Sequence, residues 1–454
     1  MTTGRTHAPA GLRTKHEPSL RAFCYDLSPP SAEFRRGQVW VRTVRYHLGT
    51  ERGLGMNDQQ VVKLGQGAKS TMQRRDFGKI VLGGAALMAS PRLSSAKLLP
   101  IPRGIKLATY ARGPSEENML YLRQLGVTWI SNSDITSETA TVEGFTHMRE
   151  QWEAGGFRVY NESGRLAPNG KAVINVPEIV LNLPGRDERI EDFLNYLRFL
   201  GKAGIPYMTY GFEGNGNWRS GTATSRRGYV ASDCDLASPT FHGGWNGTVY
   251  KEPLSHGRVF SREEIWENYT YFIKKVVPVA EQAGVKVGIH PYDPPQPILA
   301  GVPRLFTSFD GYKRAMEIAD SPNVGVCLCV GSWLEGGSKM GADPVQMIKY
   351  FGGRKKLFKI HFRNVTQPLP HFTETLMDDG YYDMYKVMEA LAEVDFDGIV
   401  IPDHIPDFVG SAAARAQSSG LGHMGPMLPD PGLAYSLGYM NATLKAVMSS
   451  RKRT

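Results

Sequence analysis

The sequence predicts a (β/α)8 barrel, a single catalytic domain that follows an N-terminal leader and spans residues 97–454. In this part of the chain eight short apolar runs alternate with eight segments of helical periodicity, which is the order typical of α/β proteins. The fifth to eighth runs each end in a side chain that can bind a metal. An open doubly wound sheet is the alternative, but it would spread those four strand ends over roughly 15 Å, whereas a closed ring directs them to one centre.

The first half of the domain alternates strands and helices in a regular order. Apolar runs predict strands at 105–110, 128–131, 158–160 and 207–212. Helical periodicity predicts helices at 116–125, within 139–155 and at 187–204, the last with apolar residues every third or fourth position. Residues 213–258 are a polar stretch that contains Gly and Trp, and we expect a loop that acts as a lid or a wall for a substrate.

The second half continues the alternation and carries the candidate ligands. Ser261 with Glu264 three residues later forms a capping-box sequence at the start of a helix over 261–283. The later helices are predicted at 309–319, 344–351, 382–392 and 433–448. The strands between them are predicted to end at His290, Cys329, His361 and Asp403.

Charge is distributed unevenly along the chain. Residues 1–96 hold 15 basic and 6 acidic residues and so carry the whole formal excess of +9, while the rest balances with 38 of each sign. No basic stripe remains in the folded part to attract phosphates, which argues against a nucleic-acid partner. The 4 cysteines are too few for a disulfide scaffold in 454 residues.

The leader divides into two segments. We expect residues 1–71, rich in Arg and Gly, to be disordered or a non-native extension before Met72. Residues 72–96 read as a twin-arginine signal peptide, with Arg74-Arg75, a short apolar stretch and Ser94-Ser95-Ala96 before the cut. A basic linker before a short buried helix is the alternative. The signal predicts export by the Tat machinery to the periplasm or the exterior, and its apolar run is too short for a stable membrane span.

His290, Cys329, His361 and Asp403 together predict one divalent-metal site. Two imidazoles, a thiolate and a carboxylate suit Mn²⁺, Fe²⁺, Co²⁺ or Zn²⁺ better than Mg²⁺ or Ca²⁺. Taken singly, each residue also has a structural interpretation: a histidine that bonds to backbone, a cysteine that acts as a small apolar residue, an aspartate that forms a turn. Their occurrence on successive strands favours the metal.

Several motifs occur in one order along the second half of the chain. They are His290-Pro291-Tyr292-Asp293-Pro294-Pro295, Cys329-Val330-Gly331-Ser332, His361-Phe362-Arg363-Asn364, His371-Phe372-Thr373-Glu374, Asp379-Gly380-Tyr381-Tyr382-Asp383-Met384 and Pro402-Asp403-His404. Through them the chain resembles the mannonate dehydratase family, metal-dependent barrel lyases of sugar-acid catabolism related in fold to the xylose isomerase-like barrels. The resemblance implies conversion of D-mannonate to 2-keto-3-deoxy-D-gluconate and water, Mn²⁺ on the four ligands, and His404 as an acid/base residue.

Other site residues are predicted from their positions in these motifs. Arg363 is expected to grip the carboxylate of a small sugar acid, although a salt bridge to a neighbouring loop is equally compatible, and Asn364 and Asp293 are expected to bind the substrate. The family places a tyrosine after the eighth strand, but no tyrosine occurs here between His404 and Tyr435. The second proton-transfer group is therefore predicted to be Tyr292, with the alternatives Tyr381 and His423.

Two other functions remain open at this point. A sugar isomerase or epimerase on the same metal-dependent barrel also needs a proton removed next to a carbonyl-type carbon, but it keeps the hydroxyl. An exported barrel that binds a sugar acid without turnover would explain the missing tyrosine. The sequence does not fix the oligomeric state, and a homo-oligomer is one option.

Overall fold

The computed structural model describes residues 101–163, 166–409, 411 and 430–451. The predicted extension 1–71, the predicted signal 72–96 and His423 lie outside the described residues, so those predictions stay predictions. No helix in the described ranges combines the length and the apolar character needed to cross a membrane.

Strands occur along the whole described chain, and eight of them form the barrel. In chain order the strands are β1 (Lys106–Ala111), β2 (Trp129–Asn132), β3 (Arg158–Glu162), β4 (Tyr207–Tyr210), β5 (Asn217–Arg219), β6 (Gly221–Thr224), β7 (Val230–Asp235), β8 (His242–Trp245), β9 (Thr248–Tyr250), β10 (Lys286–Ile289), β11 (Ile298–Leu299), β12 (Val302–Pro303), β13 (Val324–Cys329), β14 (Leu357–Phe362), β15 (Asn364–Val365), β16 (His371–Thr375) and β17 (Ile399–Pro402). The closed ring runs β1-β2-β3-β4-β10-β13-β14-β17 and back to β1, and every pair in it is parallel. The predicted (β/α)8 barrel is confirmed.

Helices connect the barrel strands and cover their outer faces. They are α1 (Glu116–Gln124), α2 (Val142–Ala154), α3 (Pro177–Val180), α4 (Arg186–Lys202), α5 (Arg262–Ala283), α6 (Phe309–Ala319), α7 (Val330–Gly336), α8 (Pro344–Gly353), α9 (Met384–Glu393) and α10 (Pro431–Arg451). Most begin at a polar N-cap: Ser261, for example, accepts a hydrogen bond from the backbone N–H of Glu264 at 3.1 Å, as predicted.

The barrel interior is filled from its lower end by large side chains. Trp129, Tyr160, Tyr207 and Phe358 form one buried cluster with the strand residues Ala108, Ile399 and Ile401. Above this cluster the buried ammonium of Lys359 donates to Asn161 at 3.3 Å and lies 4.8 Å from the ring centre of Tyr110. The packed lower end leaves the carboxyl ends of the strands as the place for chemistry.

The stretch 213–258 differs from the predicted loop, because much of it folds into short strands. β5, β8 and β9 form one antiparallel sheet. β6 and β7 join β15 and β16, from the loop after β14, in a second antiparallel sheet. Both segments follow the carboxyl end of a barrel strand, so this second sheet, which we call the mouth sheet, lies at the catalytic face of the barrel. β6 pairs with β7 and β15 pairs with β16 locally, but the pairing of β7 with β16 joins segments distant in sequence, which no local pattern predicts.

Candidate metal centre

The four predicted ligands converge at the carboxyl ends of β10, β13, β14 and β17. One donor atom from each of His290, Cys329, His361 and Asp403 lies within 4.8 Å of all the others. Register explains part of this convergence, since Cys329 pairs with His361 across β13 and β14. The parity of the parallel strands turns the residues at these ends towards the barrel axis.

The two imidazoles present ring nitrogens to each other. His290 Nδ1 lies 2.7 Å from the carbonyl oxygen of Pro291, so this nitrogen carries the proton and donates it. His290 Nε2 then faces His361 Nδ1 at 3.2 Å, while His361 Nε2 lies 3.2 Å from the hydroxyl of Tyr110. Outer hydrogen bonds of this kind fix the tautomers of metal-binding histidines. The two facing nitrogens, His290 Nε2 and His361 Nδ1, are the atoms that these two residues offer to a shared cation.

The sulfur of Cys329 is surrounded by hydrogen-bond donors. It accepts from Arg363 Nε at 3.2 Å and from the backbone N–H of Ser332 at 3.5 Å, which makes Cys329 the N-cap of α7. Burial alone would raise the pKa of this thiol, but the charge of Arg363 and the hydrogen bonds to His290 and His361 hold it well below the usual value. The arrangement favours the thiolate, the form that binds a metal.

Asp403 completes the cluster with a carboxylate oxygen. Its Oδ2 lies 3.1 Å from His361 Nδ1 and 4.0 Å from the sulfur of Cys329. Burial would raise its pKa, yet the positive charges of His361 and His404 lower it well below the usual range. Two nitrogens, a thiolate and a carboxylate, all aimed at one point, fit a divalent transition metal, and this donor set does not discriminate between Mn²⁺, Fe²⁺, Co²⁺ and Zn²⁺.

His404 stands beside the cluster in a constrained backbone conformation. Its φ is 43°, in the left-handed region that a residue with a side chain rarely adopts. Its Nδ1 lies 2.6 Å from the Glu374 carboxylate, and its Nε2 lies 3.7 Å from Asp403 Oδ2. Burial lowers the pKa of His404, but the carboxylates of Glu374 and Asp403 outweigh that effect and raise it overall.

Arg363 is not available to grip a substrate, which corrects the prediction from sequence. Its side chain is 2% exposed, and all three guanidinium nitrogens donate to protein groups. Besides Cys329, the partners are Glu335 at 2.7 Å, Asp293 at 3.1 Å and the hydroxyl of Ser332 at 3.0 Å. These contacts agree with the alternative prediction, in which Arg363 forms salt bridges to neighbouring acids. Through its Nε it also positions the sulfur of Cys329.

The structure also contradicts the substrate-binding roles predicted for Asp293 and Asn364. Asp293 is 1% exposed and its two oxygens bind Arg219 at 2.6 and 2.8 Å, in addition to Arg363. Asn364 is fully buried and its amide donates to the carbonyl oxygens of Met377 and Tyr382. Both residues therefore hold loops in place.

Tyr292 is likewise misplaced for proton transfer. It is 1% exposed, its hydroxyl donates to the carbonyl of Phe212, and its ring stacks on Phe306 with the guanidinium of Arg304 4.6 Å from its centre. Those contacts make it a core residue. The alternative Tyr381 donates to the carbonyl of Leu334 at 2.7 Å.

Three residues that were not predicted from the sequence contact the candidate ligands or their neighbours. Tyr110 on β1 meets His361, and Glu374 on β16 meets His404. Arg219, on β5 in the stretch expected to be a loop, binds Asp293 and also Glu374 at 2.7 Å. Glu374 lies in one of the motifs that carry the resemblance, and that motif could have suggested it as a site residue. No sequence motif around Tyr110 or Arg219 indicates a role in the site.

Asp293, Glu374 and His404 form a second group of potential ligands. Arg219 and Arg363 already contribute two positive charges to its carboxylates, and a divalent ion there would have to displace them. Burial and the charge of Asp293 raise the pKa of the adjacent Glu335 carboxyl well above its usual value, which favours its protonated form. This group is therefore a compensated ion network rather than a second metal site.

The comparisons agree with the site. The family model described as D-mannonate dehydratase (UxuA) matches residues 244–450. Mannonate dehydratase 2 of Halalkalibacterium halodurans is 30% identical over 247 residues, which are 50% of this chain and 70% of that protein. This chain belongs to the mannonate dehydratase family. Mannonate dehydratase of Streptococcus equi subsp. zooepidemicus is 34% identical over 239 residues, 49% of this chain, and the chain spans only 65% of that relative's length.

The fold of the family is also the fold of this chain. The crystal structure of mannonate dehydratase from Streptococcus suis serotype 2 superimposes with a TM-score of 0.62 at 24% sequence identity, covering 77% of this chain and 95% of that one. At this level of identity the likeness supports the barrel alone.

Proposed function

We propose that the chain is a divalent-metal-dependent hydro-lyase that converts D-mannonate, or a closely related aldonate, to its 2-keto-3-deoxy acid and water. The observation that carries the proposal is the placement of His404 beside four donor atoms that lie within 4.8 Å of one another. Membership of the mannonate dehydratase family supports it, and so do the names of the relatives.

The reaction needs a cation and a group that moves protons. His290, Cys329, His361 and Asp403 would hold the cation, which supplies Lewis acidity towards the substrate carboxylate and 2-hydroxyl when bound. The proton next to the carboxylate must leave, and the 3-hydroxyl must depart with a proton as water. A side chain close to the cluster has to exchange those protons, and His404 is within reach.

Glu374 determines which atom of His404 does this work. Because its carboxylate holds Nδ1–H at 2.6 Å, Nε2 is the atom left to exchange a proton on the side of the cluster. The carboxylate also stabilises the imidazolium form. His404 can therefore take a proton from carbon or release one to the departing hydroxyl without changing its orientation.

The proposal is tested by turnover of a panel of aldonates. Protein loaded with Mn²⁺, Fe²⁺, Co²⁺ or Zn²⁺ should form a 2-keto-3-deoxy acid from at least one aldonate, and removal of metal by a chelator should abolish this activity. Release of an isomerised sugar instead would support the isomerase alternative, and tight binding with no product would support the non-catalytic barrel. Either result would overturn the proposal.

His404→Asn should separate chemistry from metal binding. Loss of the proton-transfer group should lower kcat by roughly 10²- to 10⁴-fold. Metal content, measured by elemental analysis, should stay that of the wild type, because Nε2 of His404 lies outside the four donors. Loss of metal together with activity would instead assign His404 to the cation.

A further inference from the structure

The described structure leaves the carboxylate of the proposed substrate without a protein cation among the predicted residues. Arg363 is occupied by four partners, and Arg219 is occupied by Asp293 and Glu374. A buried arginine that already neutralises carboxylates cannot turn to a ligand without leaving those charges unpaired. A group that binds the carboxylate is therefore expected at another strand end of the barrel mouth.

Arg112 occupies such a strand end. It directly follows β1, whose Tyr110 reaches His361 in the cluster. Side chains two residues apart on a strand share a face, so continuing the geometry of β1 by one residue would give Arg112 the inward parity of Tyr110, about 6.6 Å nearer the mouth. β1 is also the neighbour of β17 in the closed ring, and β17 leads directly into Asp403 and His404.

The register with β2 shows that the face of β1 that carries Tyr110 points into the barrel. Tyr110 pairs with Ser131 on β2, and the hydroxyl of Ser131 lies 3.5 Å from the ammonium of Lys359 inside the barrel. The backbone of Arg112 is fixed because its carbonyl accepts a hydrogen bond from the Asn118 amide at 2.9 Å. The residue thus starts from a rigid position on the rim, beside the half of the ring that carries Asp403.

The guanidinium of Arg112 is poorly satisfied by the protein. Its Nε is buried and has no hydrogen-bond partner, and no ion pair to it is found within the described ranges. The neighbouring acid, Asp134, accepts the backbone N–H of Gly113, and the positive charge of Arg112 acts on its pKa from a distance, without a hydrogen bond between the two side chains. The other arginines of the strand-end loops, Arg219, Arg304 and Arg363, each donate to a carboxylate. A buried donor without a partner costs free energy unless a ligand supplies the acceptor.

We propose that Arg112 binds the carboxylate of the sugar acid, an assignment that rests on the proposed function. The planar fork of a guanidinium matches a carboxylate, and an incoming carboxylate oxygen would satisfy the buried Nε–H. Arg112 then selects an aldonate over the neutral sugar of the same carbon skeleton. Arg363 keeps a different task, since it holds the thiolate of Cys329.

The proposal is tested by binding rather than by turnover alone. Arg112→Met and Arg112→Lys are made in a His404→Asn background, loaded with Mn²⁺, and titrated calorimetrically with D-mannonate and with D-mannonamide, whose neutral amide replaces the carboxylate. Arg112→Met should weaken D-mannonate binding by about 10- to 100-fold, the loss expected for a charge-assisted hydrogen bond. Binding of D-mannonamide should change much less. Arg112→Lys, which keeps the charge but loses the fork, should fall between.

Arg103→Met is the matched control. Arg103 is exposed and precedes β1, at the end of the strand opposite to Arg112, so its loss should leave both affinities unchanged. Metal content and the thermal unfolding midpoint of each variant report on folding. If Arg112→Met does not fold, the affinity of Arg112→Lys tests the proposal on its own. A wild-type affinity for D-mannonate in Arg112→Lys would overturn it.

The outcomes separate this inference from the proposed function. In enzyme that keeps the wild-type His404, Arg112→Met should raise KM with little change in kcat, since a carboxylate contact is made in the ground state and the transition state alike. If no aldonate is turned over but D-mannonate binding still depends on Arg112, the proposed reaction fails and the assignment of Arg112 stands. If turnover and binding both survive Arg112→Met, the assignment fails and the reaction stands.

Discussion

At the scale of single residues, Arg363 decides how the site is held together. It joins the thiolate of Cys329 to the carboxylate of Asp293 and the carboxyl group of Glu335, all of them buried. A helix residue packs directly against it: a Cβ added to Gly331 would collide with the Arg363 side chain, so the glycine leaves room for the guanidinium. Arg363 lies two residues after His361 and so shares its strand parity, but parity says nothing about which acids from other segments lie next to the guanidinium.

Arg363→Met should therefore damage the metal site and the fold rather than substrate affinity. Removal of one partner of a buried ion network costs about 3–5 kcal/mol of unfolding free energy, because the remaining carboxylates lose their compensation. Metal affinity should fall as well, since the thiolate loses its nearest positive charge. Denaturant unfolding and metal titration measure the two effects. Normal stability and metal content with only a raised KM would restore the original assignment to the substrate.

Glu374 acts on chemistry through His404. Glu374→Gln should reduce kcat by roughly 10- to 100-fold, the usual effect of removing an outer partner of a catalytic histidine or ligand. Because the carboxylate raises the pKa of His404, the neutral amide should move the corresponding kinetic pKa to lower pH. The pH–rate profile checks the sign, and Asp378→Asn, a more exposed acid of the same loop, is the control. A lower kcat with no movement of the profile would contradict a positioning role.

At the scale of elements, the mouth sheet joins two distant insertions above the barrel. β7 pairs with β16, and the turn between β6 and β7 is tied to the loop before α9 by Asp379. Asp379 accepts from Arg226 at 2.7 Å and from the hydroxyl of Tyr229 at 2.7 Å. Glu374 lies within this sheet, so its position depends on both insertions.

Asp379→Asn should loosen the mouth sheet without unfolding the barrel. The loss of a charged acceptor for Arg226 and Tyr229 costs about 1–3 kcal/mol locally. Hydrogen exchange over β6 and β7 should become faster, whereas exchange in β13 and β14 should not change. Unaltered exchange in β6 and β7 would show that the sheet is held elsewhere.

The same contact predicts a dependence on pH in the wild type. Burial would raise the pKa of Asp379, but the hydrogen bonds from Tyr229 and Arg226 lower it below its usual value. The contribution of the contact is therefore present above the unfolded-state pKa and is lost as the pH falls through the lowered folded-state pKa. Exchange in β6 and β7 should rise in acid, and Asp379→Asn should remove that rise.

Barrel elements and mouth elements differed in how well the sequence predicted them. Strands such as β13 and β14 are buried on both faces and read as continuous apolar runs, so their ends were predicted within two residues. β6 is mostly exposed and contains glycine, so its pairing with β7 depends on tertiary contacts. For the same reason the four candidate ligands could be predicted from strand ends, whereas Arg219 and Glu374 could not, because short strands outside the barrel bring them to the site.

At the scale of the whole molecule, the export signal is the main prediction that stands outside the described residues. We propose that the chain is exported in folded form, because the basic excess and the paired arginines both belong to residues 1–96. Replacing Arg74 and Arg75 by lysine should retain the protein in the cytosol, as measured by fractionation and by the size of the unprocessed chain. Processing and export that continue unchanged in this variant would rule out the twin-arginine route.

The candidate metal ligands and the residue proposed to bind the carboxylate come from different halves of the ring. Within the described residues, all four donors come from the last four barrel strands, and the family model matches residues 244–450, which contain those strands. Tyr110 lies on the first strand and Arg112 directly follows it, and both are outside the matched range. The proposed carboxylate contact of Arg112 thus lies on a different part of the ring from the four donors and His404, so a substitution at Arg112 should change which acid binds while those residues keep their positions.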